Sequence, residues 1–261
     1  MAAVGERQIS YDARGLAEPV ADAPRTAVVD DGVATFDARD LTTRTINLEL
    51  RRLLYEEGID EVVIQNPQGR HSLGVGILRR CKITFDGSLG YFGCGLVDGP
   101  EIQINGRVGW SACENMMSGV VVVDHNAGSL AGAALRGGDL IVKGDVGART
   151  GIDQKGGTIV VGDAGSMTGF MMQRGRQILC GNVGQGLGDS MYDGTIYVGG
   201  KVKSLGIDCV PGEWTDADTE FVNRKFSIYG LGDPPELQKF VCGKVLYNYD
   251  NLEPAERKLV L

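Results

Sequence analysis

One phrase returns along the middle of the chain at a nearly fixed interval. It reads Asp139-Leu140-Ile141-Val142-Lys143-Gly144-Asp145-Val146-Gly147, then Thr158-Ile159-Val160-Val161-Gly162-Asp163-Ala164-Gly165, then Gln177-Ile178-Leu179-Cys180-Gly181-Asn182-Val183-Gly184. Each phrase ends on a glycine that is followed by another four residues later: Gly128/Gly132, Gly147/Gly151, Gly165/Gly169 and Gly184/Gly188, spaced by 19, 18 and 19 residues. Backwards, Gly109 and Gly90 continue the series with Cys113 and Cys94 as their fourth-on partners, and Ile64, Ile83 and Ile102 repeat the strand at an interval of 19. The repeat therefore begins near Val62. Forwards it passes Thr195-Ile196-Tyr197-Val198-Gly199, meets Lys203 where a glycine is due, and fades by about Val210.

A unit this short cannot hold a helix pair, which takes about 33 to 47 residues, and it lacks the leucine spine of a leucine-rich repeat. Short strands joined by tight turns fit it. Alternate strand residues point inwards, so an Ile or Val of one coil stacks on its counterpart about 4.8 Å away in the next, and the stack becomes the core. Glycine at a fixed coil position meets a geometric demand, either a positive φ or a backbone approach too close for Cβ. That demand accounts for 40 glycines against 8 prolines in a chain whose apolar share is ordinary. The expected fold is all-β: a right-handed single-stranded β-helix of about seven coils, with Gly109, Gly128, Gly132, Gly147, Gly151, Gly165, Gly169, Gly184 and Gly188 at its corners.

The flanks differ. Asp40 to Gly58 reads as a helix that Asp40, Thr42 or Thr43 can cap, with Ile46, Leu48, Leu50, Leu53 and Leu54 as its apolar positions and Gly58 at its end. Such a helix can cover the open end of the stack, whose backbone and core would otherwise meet water. The expected organisation is an extension over 1–35, the β-helix domain with its capping helix over 36–210, and an irregular docking tail over 211–261 that carries Pro211-Gly212, Asp233-Pro234-Pro235 and the aromatic residues Phe240, Tyr247 and Tyr249.

A net charge of −8 repels nucleic-acid phosphates and anionic lipid heads. The start, Met1-Ala2-Ala3-Val4-Gly5-Glu6-Arg7, has no apolar leader region, and no stretch approaches the roughly twenty apolar residues of a membrane span. A cytoplasmic protein with no membrane or nucleic-acid partner is expected. The six cysteines (Cys81, Cys94, Cys113, Cys180, Cys209, Cys242) form no CxxC pair, and His71 and His125 are the only imidazoles, so no metal site has a recognisable spacing.

The glycine pattern, with Gly137-Gly138 and Gly156-Gly157 ahead of the strands, resembles the GXGXG β-helix domain at the carboxyl end of glutamate synthase large subunits. The approach to the repeat is similar too: Leu41-Thr42-Thr43-Arg44-Thr45-Ile46-Asn47, then Val62-Val63-Ile64-Gln65-Asn66-Pro67-Gln68-Gly69 and Ser72-Leu73-Gly74-Val75-Gly76. The resemblance covers about 36–210. It implies a free-standing middle subunit of a glutamate synthase-like hetero-oligomer, N-methylglutamate synthase included. There a class II glutamine amidotransferase subunit and an FMN-dependent, iron–sulfur synthase subunit are separate chains. By that resemblance this chain binds no cofactor, FMN and the cluster being carried by a partner, and it belongs to an oxidoreductase of amino-acid metabolism without an active site of its own. The C subunit of formylmethanofuran dehydrogenase, or of the related formyltransferase/hydrolase complex, is the alternative relative.

Other chemistries find little purchase. A class II amidotransferase needs an amino-terminal cysteine nucleophile, and this chain begins Met1-Ala2. Cys94 and Cys113 lie nineteen apart, as stacked core positions do, rather than at the short spacings of an iron–sulfur site. Gly181-Asn182-Val183-Gly184-Gln185-Gly186-Leu187-Gly188 has the glycines of a phosphate loop without its Gly-Lys-Ser/Thr ending, and reads as a coil corner. His71 reads as an exposed or hydrogen-bonded residue. A stand-alone carbohydrate-active β-helix would need clustered carboxylates and aromatic platforms on one face, while the turns here carry Asp-Val, Asp-Ala and Asn-Val.

Overall fold

The computed structural model describes residues 26–246, and they form the β-helix that the repeat demands. Twelve strands make one continuous sheet. β1 (Val28–Asp30) and β2 (Val33–Asp37) precede helix α1 (Thr43–Arg51), whose last turn widens into a π-helical segment at Arg52–Glu56. β3 (Glu61–Gln65), β4 (Lys82–Asp86), β5 (Asp98–Ile104), β6 (Ser118–Val123), β7 (Asp139–Val142), β8 (Lys155–Val161), β9 (Arg174–Leu179) and β10 (Thr195–Val198) follow as successive coils. β11 (Cys209–Pro211), helix α2 (Asp216–Tyr229) and β12 (Gln238–Cys242) complete the described chain.

Strands β2 to β10 pair in parallel, each with the next. One inward column runs Ala34, Val62, Ile83, Ile102, Val121, Leu140, Ile159, Gln177, Ile196, and every member is buried. The stack thus begins at Val33 rather than near Val62. The reading of Val62 as the start fails because α1 interrupts the interval between β2 and β3, so the first strand has no partner at nineteen residues. Gln177 is the one polar member of the column. Its Nε2 donates to Gln154 Oε1 at 2.9 Å while its Oε1 has no protein partner, a defect of about 1 to 3 kcal/mol.

The second side of each coil is a single bridge residue, in the ladder Val108, Ala127, Val146, Ala164, Val183, Val202. The third side alternates in handedness. Residues 130, 132 and 134 all have positive φ, as do 149, 151 and 153, and 167, 169 and 171. Most of these are not glycine, and left-handed backbone costs such a residue on the order of 1 kcal/mol or more. The inter-coil hydrogen bonds hold them there. Leu130 N–H donates forwards to Ala148 O at 2.9 Å, Gly132 backwards to Ala112 O at 2.8 Å, and Ala134 forwards again to Ile152 O at 2.8 Å. Alternation lets one short segment bond both of its neighbours.

The first coil has no predecessor on this side, and α1 stands in for one. Thr42 Oγ1 caps it by accepting from Thr45 N–H at 3.2 Å, and Ile46, Leu50, Leu53 and Leu54 turn one buried face to the core. Across the exposed backbone edge, Asn47 behaves like a missing peptide group. Its Nδ2 donates to Ser72 O at 2.7 Å and its Oδ1 accepts from Gly74 N–H at 3.0 Å. Tyr55 Oη takes the Leu78 N–H at 2.7 Å. The helix is therefore a capping helix in the hydrogen-bonding sense as well as the apolar one. Gly58 closes the segment with φ +69°.

At the other end, β12 lies antiparallel against β10, and β11 lies antiparallel against β12. The chain beyond Val210 is thus more ordered than its irregular pattern suggests, although Tyr247 and Tyr249 lie outside the described residues. Helix α2 lies on the outer face of the sheet, where Val222 and Phe226 pack with Ile141, Val160, Ile178 and Tyr197. Thr215 and Asp218 form its capping box, and Gly230 ends it in left-handed geometry.

Two polar anchors pin α2. Lys225 Nζ donates to both Asp139 oxygens at 2.7 and 2.6 Å, with the Tyr229 hydroxyl on the same carboxylate. Asp218 accepts from Tyr197 Oη at 2.7 Å, Lys239 Nζ at 2.8 Å and Thr215 N–H at 2.7 Å. Burial acts to raise the Asp218 carboxyl, but the hydrogen bonds from Lys239, Thr215 and Tyr197 outweigh it and hold the group well below the usual carboxylate range. A carboxylate depressed on folding stabilises the fold above its unfolded value, near 3.9, and loses that contribution as pH falls through the folded value. Helix α2 is therefore expected to loosen in acid below about pH 4, before the coils do. Trp214, whose ring meets Tyr197 edge-on at 5.5 Å, reports it. Asp218→Asn should abolish that acid transition in Trp fluorescence.

Candidate functional site

The nine corner glycines fall into two classes with different causes. Gly109, Gly128, Gly147, Gly165 and Gly184 have ordinary φ, but a Cβ on any of them would enter the preceding coil. It would lie 2.7 Å from Gly90 C, 2.5 Å from Trp110 Cδ1, 2.5 Å from Ser129 N, 2.5 Å from Ala148 N and 2.6 Å from Ser166 N, respectively. Gly132, Gly151, Gly169 and Gly188 have φ of +65°, +61°, +73° and +62°, and their missing Cβ atoms would point into the filled interior. Gln177 Nε2, 2.1 Å from the position of a Cβ on Gly151, shows how full it is. Cys94 and Cys113 take the same place in earlier coils, both at positive φ, and their thiols fill the interior there.

Those thiols are poor nucleophiles and poor ligands as they stand. Burial pushes Cys94 up to about 12, and Cys81 and Cys180 up to about 11. The corner acids and amides are also engaged. The Oδ1 atoms of Asn126, Asp145, Asp163 and Asn182 accept the backbone N–H of Asp145, Asp163, Asn182 and Lys201 in turn, at 2.6 to 3.1 Å. The Gly181 to Gly188 segment is one rung of this ladder, a coil corner as its sequence suggests. The Asp-Val and Asn-Val turns therefore join coils.

His71 leads to the feature that most resembles a recognition site. Its Nδ1 accepts the Tyr91 N–H at 2.9 Å, and its ring stacks on Tyr91 at 4.5 Å between centroids and 11° between planes. Tyr91 stacks in turn on Trp110 at 5.4 Å and 21°. Tyr91 is 51% exposed and Trp110 56%. Each ring lies over the glycine of the next coil: Cβ atoms on Gly90, Gly109 and Gly128 would collide with His71, Tyr91 and Trp110 respectively. Tyr91 is thus held between His71 and Trp110, and the three rings form one rigid, solvent-exposed stack. Exposed aromatic rings held rigidly are surfaces that a protein partner can pack against.

Neither aromatic ring drew attention in the sequence, although the register would have revealed them. His71, Tyr91 and Trp110 stand at intervals of 20 and 19, and Tyr91 and Trp110 each follow a corner glycine. No helix among the described residues is long and apolar enough to cross a membrane. Neither a scan against protein-family models nor a search of curated proteins finds a match to this sequence.

Proposed function

We propose that this chain is a docking and spacing subunit of a glutamate synthase-like complex that makes glutamate or N-methylglutamate. It holds a class II glutamine amidotransferase against a synthase that carries FMN and an iron–sulfur cluster, in a cytoplasmic hetero-oligomer. The glycine-repeat resemblance supplies the family. The observation that carries the docking role is the His71, Tyr91, Trp110 ladder: three rings fixed in place by stacking, half exposed, on a backbone whose coils are cross-bonded. Rigid aromatic side chains lose little conformational freedom on binding and dominate protein interfaces. The contribution to catalysis is geometric, since sites that exchange a small diffusing product work only if their separation is fixed.

Purification of the native protein from its source tests the reading. The expected result is co-elution with an amidotransferase and a flavoprotein, and recovery of the chain alone would overturn it. Tyr91→Ala with Trp110→Ala should weaken that association by at least a hundredfold, on the order of 3 kcal/mol. Removing exposed rings should leave the unfolding midpoint of the isolated chain nearly unchanged.

A further inference from the structure

A cleft of about 600 Å³ lies between the starts of strands β7 to β10 and helix α2, away from the aromatic ladder. Its cationic groups are Arg174 and Arg176 of β9 and Arg224 and Lys225 of α2. Arg176 is held in place, its guanidinium carbon 4.2 Å over the centroid of the Phe221 ring. Arg174 and Arg224 are exposed, and neither makes an ion pair among the described residues. Of the two carboxylates that line the cleft, Asp139 is already neutralised by Lys225, which leaves Asp193 against three arginines. Such a local excess of positive charge stands out in a chain whose net charge is −8.

The floor is lined by small residues, glycines with Thr158 and Thr195. Gly157, Gly175 and Gly194, with φ of +68°, +95° and +107°, stand in three successive coils, so the floor runs about 10 Å along the stack. A long, open trough with arginines on both sides matches an extended chain better than a compact anion, and the guanidinium fork pairs with carboxylates in two parallel hydrogen bonds.

We propose that this cleft binds an extended acidic segment of a partner protein, with Glu or Asp side chains engaging Arg174, Arg176 and Arg224. The assignment deepens the docking role proposed above and rests on it for the existence of a partner. It names a second contact surface, electrostatic where the ladder is apolar.

A rhodamine-labelled peptide of alternating Glu and Gly, titrated with the full chain and followed by fluorescence anisotropy, tests it. The expected result is saturable binding that weakens at least tenfold in the Arg174→Gln, Arg224→Gln double variant and is unchanged by Arg107→Gln, an exposed arginine outside the cleft. Both substituted arginines are exposed, so the double variant should keep the wild-type unfolding midpoint. Equal binding of a Gln and Gly peptide, or no loss in the double variant, would overturn the proposal. Displacement of the peptide by equimolar inorganic phosphate would also overturn it, by making the cleft a small-oxyanion site. Because the isolated chain is measured, failure here leaves the co-purification result standing, and failure of co-purification leaves this one.

Discussion

Gly147→Val should lower the unfolding free energy by at least about 3 kcal/mol in urea titrations. The cause is steric: the Cβ position on Gly147 lies 2.5 Å from Ser129 N and 2.7 Å from Ser129 Cα, backbone atoms that cannot swing aside. Relief requires the coils on either side of the contact to part. In a stack whose units are stabilised by their nearest neighbours, parting one interface divides the cooperative unit. The unfolding curve is therefore expected to split into two transitions as well as to shift. Gly58→Ala is the control. Its φ is +69° with nothing within 4 Å of the added Cβ, so it should cost only on the order of 1 kcal/mol and keep a single transition.

Phe226→Ala should cost about 3 to 5 kcal/mol by emptying the centre of the contact between α2 and the sheet. Phe226 is buried against the outer-face cluster of Ile141, Val160, Ile178 and Tyr197, which the coils alone would expose to water. Loss of this anchor should free α2 while the coils persist. The measurable signs are dye binding to newly exposed apolar surface and a blunted Trp214 signal, with little change in far-ultraviolet strand content. Val222→Ala should produce a weaker form of the same effect, about 1 to 2 kcal/mol, because less volume is removed.

The coils were legible because each is bound to the next by the same contacts, so Gly128, Gly147, Gly165 and Gly184 had to recur at 18 or 19 residues. The capping helix was legible from Thr42, the spacing of Ile46, Leu50, Leu53 and Leu54, and Gly58. What escaped was non-repeating. Strand β2 is set off from β3 by an inserted helix, and α2 occurs once. A signal for α2 was present, in Thr215 and Asp218 three apart, Val222 and Phe226 four apart, and Gly230 at the end. A second signal lay in the strands themselves. Ile83-Thr84-Phe85 and Ile102-Gln103-Ile104 alternate as strands with one wet face do, whereas Ile141, Val160, Ile178 and Tyr197 are apolar where Thr84 and Gln103 are polar. Continuous apolar runs mean that both faces are covered, and the cover is α2. The aromatic ladder and the arginine cleft depend on which coil positions face outwards together, which register discloses only once the strands are aligned.

The uniform pairing of β3 to β10 makes the particle's length come in whole steps. Each coil adds one strand spacing, about 4.8 Å, and presents the same glycine floor to the next. Excision of one complete unit, such as 111–129, would join Trp110 to Leu130, leave Asp139 and Ile141 in place beneath α2, and preserve the local register on both sides. A protein so shortened should keep both ends and their surfaces while bringing them one step closer. Partners bound at opposite ends would then sit nearer by a known amount, so successive excisions would graduate the distance between them like marks on a rule.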